Sequence, residues 1–94
     1  MKNSIIENVS KVLKAIGNAK RLEIILMLTK GEMKVGDLEK VIGLSQSALS
    51  QHLAILREEN IVQTRREAQV IYYAVNDEKV LKILNLLENM YSSL

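Results

Sequence analysis

Residues 36–59 read GDLEKVIGLSQSALSQHLAILREE, and the fold turns on the glycine in the middle of them. Gly43 separates two segments of helical periodicity: one opened by Gly36 and Asp37 and ending at Ile42, the other capped by Ser45 and running to about Glu59. Glycine takes the left-handed conformation after a helix at little cost, and Leu44 then tucks back onto the helix just ended. Helix, tight turn, helix is the result. With residues about 100° apart, Leu49, Leu53 and Leu56 share the inner side of the second helix. Ser47, Ser50, Gln51, Ala54 and Glu58 lie opposite, flanked by Gln46 and Arg57.

That outer face is short and polar. A merely solvated helix ordinarily carries long charged side chains there, whereas Ser and Gln approach base edges and phosphates closely. The positive end of the helix, at Ser45 to Ser47, favours a phosphate. The segment therefore reads as a DNA-reading helix.

Downstream, Ile61 to Arg66 and Gln69 to Val75 are β-branched and aromatic runs around Glu67 and Ala68, the pattern of a hairpin. Its tip lacks glycine and asparagine, so a loop of about four residues is expected rather than a two-residue turn. Arg65, Arg66 and Gln69 flank the tip and suit a phosphate backbone or a minor groove. A solvated tip is the plainer reading of these residues alone, and Glu67 between them weakens the charge.

Upstream, Ile5, Ile6, Val9, Val12, Leu13 and Ile16 fall within about 120° on a helix that Ser4 can cap and Gly17 ends. Asn18 can cap a second helix through about Lys30, apolar on most sides and therefore central, with Gly31 as its stop. Glu32 to Val35 suits one short strand. Asp77 can cap a last helix whose Val80, Leu81, Ile83, Leu84, Leu86, Leu87, Met90 and Tyr91 spread over about 220°. One core asks for about 100° of apolar arc, so a symmetric homodimer is expected to cover the excess.

Ninety-four residues, 48% hydrophobic and 26% charged, without proline, repeat or flexible linker, are expected to form a single domain over residues 1–94. Net charge is +2. It is uneven, with six cations against two anions in residues 1–30 and three against five in residues 31–60. The longest apolar run, Val70 to Val75, is too short to span a membrane. Glu7, Asn8, Ser10 and Lys11 interrupt any signal peptide begun by Lys2, so a cytoplasmic location is expected.

With no cysteine and one histidine, thiolate zinc sites, disulfides and paired-imidazole metal sites are excluded in these residues, and no cofactor is expected. His52 reads as a packed, hydrogen-bonded side chain rather than a ligand or a base. Gly31 and Gly36 have P-loop spacing, but Asp37 and Leu38 stand where Lys and Ser/Thr would bind nucleotide. Glu58 with Glu59 and Asp77 with Glu78 are adjacent pairs that diverge on a helix, so no acid–base constellation forms and no enzyme is expected.

Two stretches, LKAIGNAKRLEIILML at 13–28 and GEMKVGDLEKVIGLSQSALSQHLAILREENIV at 31–62, with REAQVIYY at 66–73, resemble the winged helix-turn-helix repressors of the ArsR family. LSQSALSQHLA with REAQ resembles most closely its HlyU and BigR branch. The resemblance implies a mainly α fold with a small β-hairpin (α+β), ordered α-α-short β-α-α-β-β-α. It further implies a homodimer through the first and last helices, here at Ile5, Val9, Val12, Ile83, Leu84, Leu87, Met90 and Tyr91. Double-stranded DNA is then the partner. Ser45, Gln46, Ser47, Ser50, Gln51 and Arg57 serve on the reading helix, and Arg65, Arg66 and Gln69 on the wing. The branch's two sensing cysteines correspond to Leu26 and Ser92, which leaves no thiol switch. Where metal-sensing relatives carry ligands, this chain offers Met33 to Asp37, Asp77, Glu78 and Glu88, and no metal site is expected. Two other readings stand beside repression by DNA binding. One is a winged helix that docks a protein, against which the Ser and Gln face argues. The other is a repressor with an unspecified small-molecule inducer lined by Met27, Met33 and Met90.

Overall fold

In the computed structural model, which describes residues 1–92, five helices and a three-stranded sheet follow the expected order. Helices α1 (Asn3–Ile16) and α2 (Ala19–Leu28) precede β1 (Met33–Lys34), α3 (Val35–Ile42) and α4 (Gln46–Glu58). Strands β2 (Val62–Glu67) and β3 (Val70–Val75) lead to α5 (Glu78–Ser92). The core is apolar throughout, with Ile24 and Ile25 of α2, Leu38 of α3, Leu49, Leu53 and Leu56 of α4, Ile61, and Val80 of α5 all but inaccessible. The most apolar helix, α2, lies at its centre, as its composition dictates.

The helix ends follow local chemistry. Asn18 accepts the Arg21 N–H at 3.1 Å, Ser45 accepts that of Ala48 at 3.2 Å, and Asp77 accepts those of Lys79 and Val80. Gly43 closes α3 in the left-handed conformation, φ 76°, with its N–H on the Glu39 carbonyl. Ser4 does not cap α1. That helix starts two residues earlier than a Ser4 cap would allow, at Asn3, behind Lys2 and without a side-chain cap. The short strand shrinks to Met33–Lys34, because Val35 already belongs to α3.

One signal escaped the sequence reading altogether. Asn60 adopts φ 59°, its N–H bonds to the Arg57 carbonyl, and the next N–H, of Ile61, bonds to the Leu56 carbonyl, each at 2.9 Å. This is a Schellman closure, with buried Ile61 against buried Leu56 as its apolar contact. It fixes the angle at which the chain leaves α4 for the hairpin.

All strand pairs are antiparallel, in the order β1-β3-β2. The register Glu67↔Val70 leaves only Ala68 and Gln69 in the turn, which corrects the expected four-residue loop. Ala68 takes φ 57° and supplies the positive first position of a type II′ turn, where glycine is usual.

Candidate nucleic-acid interface

Leu49, Leu53 and Leu56 anchor α4 to the core and turn its opposite side outward. Ser45, Gln46, Ser47, Ser50, Gln51 and Arg57 are all exposed, so the expected face exists as one surface. Side chains of Gln46, Ser47, Ser50 and Gln51 hold no hydrogen bond to the other described residues, which leaves every donor and acceptor for a partner. Ser45 differs. Its oxygen accepts the Ala48 N–H, so capping is its first role, and only its hydroxyl proton remains to donate outward. The N–H groups of Gln46 and Ser47 stay unpaired in the first turn and point along the positive end of the helix.

The wing arginines separate. Residues adjacent on a strand point to opposite faces, so Arg65 and Arg66 cannot share one groove. Arg65 lies opposite Tyr72 and crosses that ring on the middle strand, its guanidinium carbon 4.4 Å from the ring centre. Beyond the ring it grips Glu32, just ahead of β1, with Nε 2.9 and 3.0 Å from the two carboxylate oxygens. Nη1 reaches Glu67 at 2.9 Å. Its hydrogen bonds hold the Glu32 carboxyl below the usual carboxylate range, and the two carboxylates push the guanidinium pKa up in return. The pair is exposed and weak by itself. Even so, Arg65 has partners within the chain, whereas its expected role at a phosphate backbone calls for a free guanidinium. Arg66 and Gln69 remain exposed and unbonded among the described residues.

His52 is half-buried and bonded as expected, its Nδ1 3.1 Å from Nη1 of Arg21. Desolvation first, and the Arg21 charge second, hold its pKa below the ordinary histidine value. Arg21 itself went unnoticed in the sequence, since nothing local marks a partner 31 residues away.

Helix α1 leaves Ile5, Ile6, Val9 and Leu13 exposed, and α5 does the same with Leu86, Leu87, Met90 and Tyr91. An apolar cavity of about 230 Å³ lies between the two helices, lined by Ile5, Val9, Val12, Leu13 and Ile83 among others. Leu84, expected on the same face, is only 9% exposed and belongs to the core of the chain itself. Leu26 and Ser92, the two positions expected to correspond to sensing cysteines, are exposed. Met27 and Met33 pack against the core while Met90 faces outward, so the three do not line one cavity. Among the described residues, no three His, Asp or Glu side chains are placed to share a metal ion, and no helix is long and apolar enough to cross a membrane.

Residues 18–64, from the α2 cap through the reading helix into the wing, match the family of bacterial regulatory proteins of the arsR type. Among relatives, the nodulation protein NolR of Rhizobium meliloti is 56% identical over 79 residues, 84% of this chain and 65% of that protein. The chain thus spans about two-thirds of the length of that relative. The transcriptional activator HlyU of Vibrio cholerae is 46% identical over 80 residues, 85% of this chain and 74% of HlyU. Among solved structures, NolR from Sinorhizobium fredii superposes with a TM-score of 0.89 at 50% identity, covering 94% of this chain and 88% of that one. The repressor BigR from Xylella fastidiosa gives 0.83 at 36% identity, covering 97% of both chains. This chain is therefore a winged helix-turn-helix member of the ArsR family of DNA-binding transcription regulators, and not an enzyme.

Proposed function

We propose that the chain is a repressor that binds an inverted-repeat operator as a homodimer in the cytoplasm, its half-sites about one helical turn apart. One observation carries the reading: a core-anchored helix presents Gln46, Ser47, Ser50 and Gln51 outward with every side-chain polar group unspent. Gln pairs with adenine through two bonds, and Ser bonds a base edge or a phosphate. Arg57 on α4 and Arg66 with Gln69 on the wing supply backbone contacts, while Arg65 holds the wing in shape. The exposed apolar faces of α1 and α5 are the surface two protomers share, through Ile5, Val9, Val12, Ile83, Leu87, Met90 and Tyr91. With Leu26 and Ser92 where thiols would be, release from DNA does not run through a cysteine of these residues.

Selection of bound fragments from a digested genome, followed by footprinting of the recovered duplex, tests the reading. Two protected half-sites about ten base pairs apart are expected, with affinity falling steeply as salt rises. Equal retention of all fragments, or an affinity unchanged over a fourfold rise in salt, would overturn it.

A further inference from the structure

Four carbonyls at the end of α1 need partners from outside the helix. Gly17 N–H serves that of Leu13 and Asn18 N–H that of Ile16, each at 2.9 Å. The other two go to one side chain: Arg21 gives Nε to the Ala15 carbonyl at 2.5 Å and Nη2 to that of Lys14 at 3.2 Å. Its remaining arm, Nη1, lies 3.1 Å from Nδ1 of His52, one position beyond Gln51 on α4. A single guanidinium thus ties the pairing helix α1, through α2, to the reading helix α4. The cation also suits the negative end of α1.

A guanidinium has donors only, so the contact requires an unprotonated Nδ1, with the ring proton on Nε2. Protonation of the ring would replace this hydrogen bond by two cations at hydrogen-bonding distance. The charged groups around the junction are Lys11 and Lys14 from α1, Arg21 from α2 and Glu59 at the end of α4, which line one shallow cavity with Ala15 and Ile55. Of these, Arg21 is the charge that acts on the His52 ring, and it opposes a further positive charge there. The depressed pKa of the ring agrees in direction with this arrangement, burial being its first cause.

We propose that Arg21 and His52 are a positioning pair that sets α4 against α1 for DNA reading, and that acidification undoes it by protonating His52. The inference rests on the DNA-reading assignment. His52 is the one histidine of the sequence, so among the side chains only it ordinarily titrates between pH 5 and 7. The contact is intact at the ordinary histidine value and above it, and is lost only as pH falls through the depressed value of this ring.

Affinity for a duplex selected from genomic fragments at pH 7.5 is to be measured from pH 7.5 to 5.5, for the wild type and for His52→Asn. The asparagine carbonyl oxygen can stand where Nδ1 stood and does not titrate. Wild-type affinity is expected to fall about three- to tenfold, the loss of one hydrogen bond that positions the helix. H52N is expected to stay level. A wild type that binds equally or more tightly in acid, or an H52N profile of the same slope, would overturn the pairing role. NMR titration of the His52 ring in the free protein supplies a readout that does not depend on DNA. A midpoint below 6.5 that rises in Arg21→Gln is expected, and a midpoint unmoved by that substitution counts against the pair. Absence of selective binding at every pH would instead bring down the DNA-reading assignment, leaving the ring titration to decide whether the pair exists.

Discussion

Arg65 and Arg66 are neighbours in sequence to which the proposed function gives opposite duties, and the difference is measurable. Arg66→Ala should weaken binding to all duplexes alike and reduce the salt slope by about one, the signature of a single phosphate contact. Arg65→Ala should leave the slope unchanged, because its charge is already spent on Glu32 and Glu67. Equal slope changes for the two variants would return Arg65 to the phosphate backbone. The Glu32 side of this contact has a pH sign. Its carboxyl is held below the usual carboxylate range by the Arg65 hydrogen bonds, so the contact is complete at neutral pH and is lost only as pH falls through that lowered value. Ala68 is the other residue whose conformation outweighs its identity. A positive φ costs an alanine about 1–2 kcal/mol, against about 0.5–1 kcal/mol for the greater entropy lost by glycine. Ala68→Gly is therefore expected to stabilise the protein by about 0.5 kcal/mol in urea unfolding, and a loss of about 1 kcal/mol would show that the turn is unstrained.

At the scale of elements, the reading helix has a cap, a seam and a closure, and each makes a separate contribution. Ser45→Ala removes the cap and should cost about 1 kcal/mol of stability, whereas Ser50→Ala, on the exposed face, should change unfolding by less than about 0.5 kcal/mol. Equal costs in denaturant titration would mean that the outer face is a structural surface. Most of this helix was legible in the sequence, because Ser45, the leucine spacing and Gly43 are local signals that fix start, inner face and preceding turn. The hairpin was legible as an element and not in its turn, since Ala68 carries a conformation that composition assigns to glycine. The contacts of Arg65 were illegible for a different reason. Its partner Glu32 lies 33 residues away and meets it only because β1 joins β3 in the sheet. Long-range contacts of this kind, Arg21 with His52 included, leave no periodic trace.

For the whole molecule, the proposed function assigns two surfaces: the polar face of α4 with the wing to DNA, and the exposed apolar faces of α1 and α5 to a second copy. A protomer of this size has one small core, and the outer faces of α1 and α5 exceed what it can cover. Leu87 is 41% exposed, so Leu87→Glu should leave the monomer folded while abolishing self-association in sedimentation. Operator binding should fall with it, since two half-sites need two linked reading helices. A wild type that sediments as a monomer at micromolar concentration would remove the symmetric part of the proposal. The reading face would stand.

That face is tested most directly by Gln51→Ala on two duplexes, one recovered by genomic selection and one of scrambled sequence at the same length. Loss of about 1–3 kcal/mol on the selected duplex, with the scrambled duplex unaffected, is the predicted result for a base contact. The same affinity as wild type on both, or an equal loss on both, would contradict the claim that the outer side of α4 reads sequence.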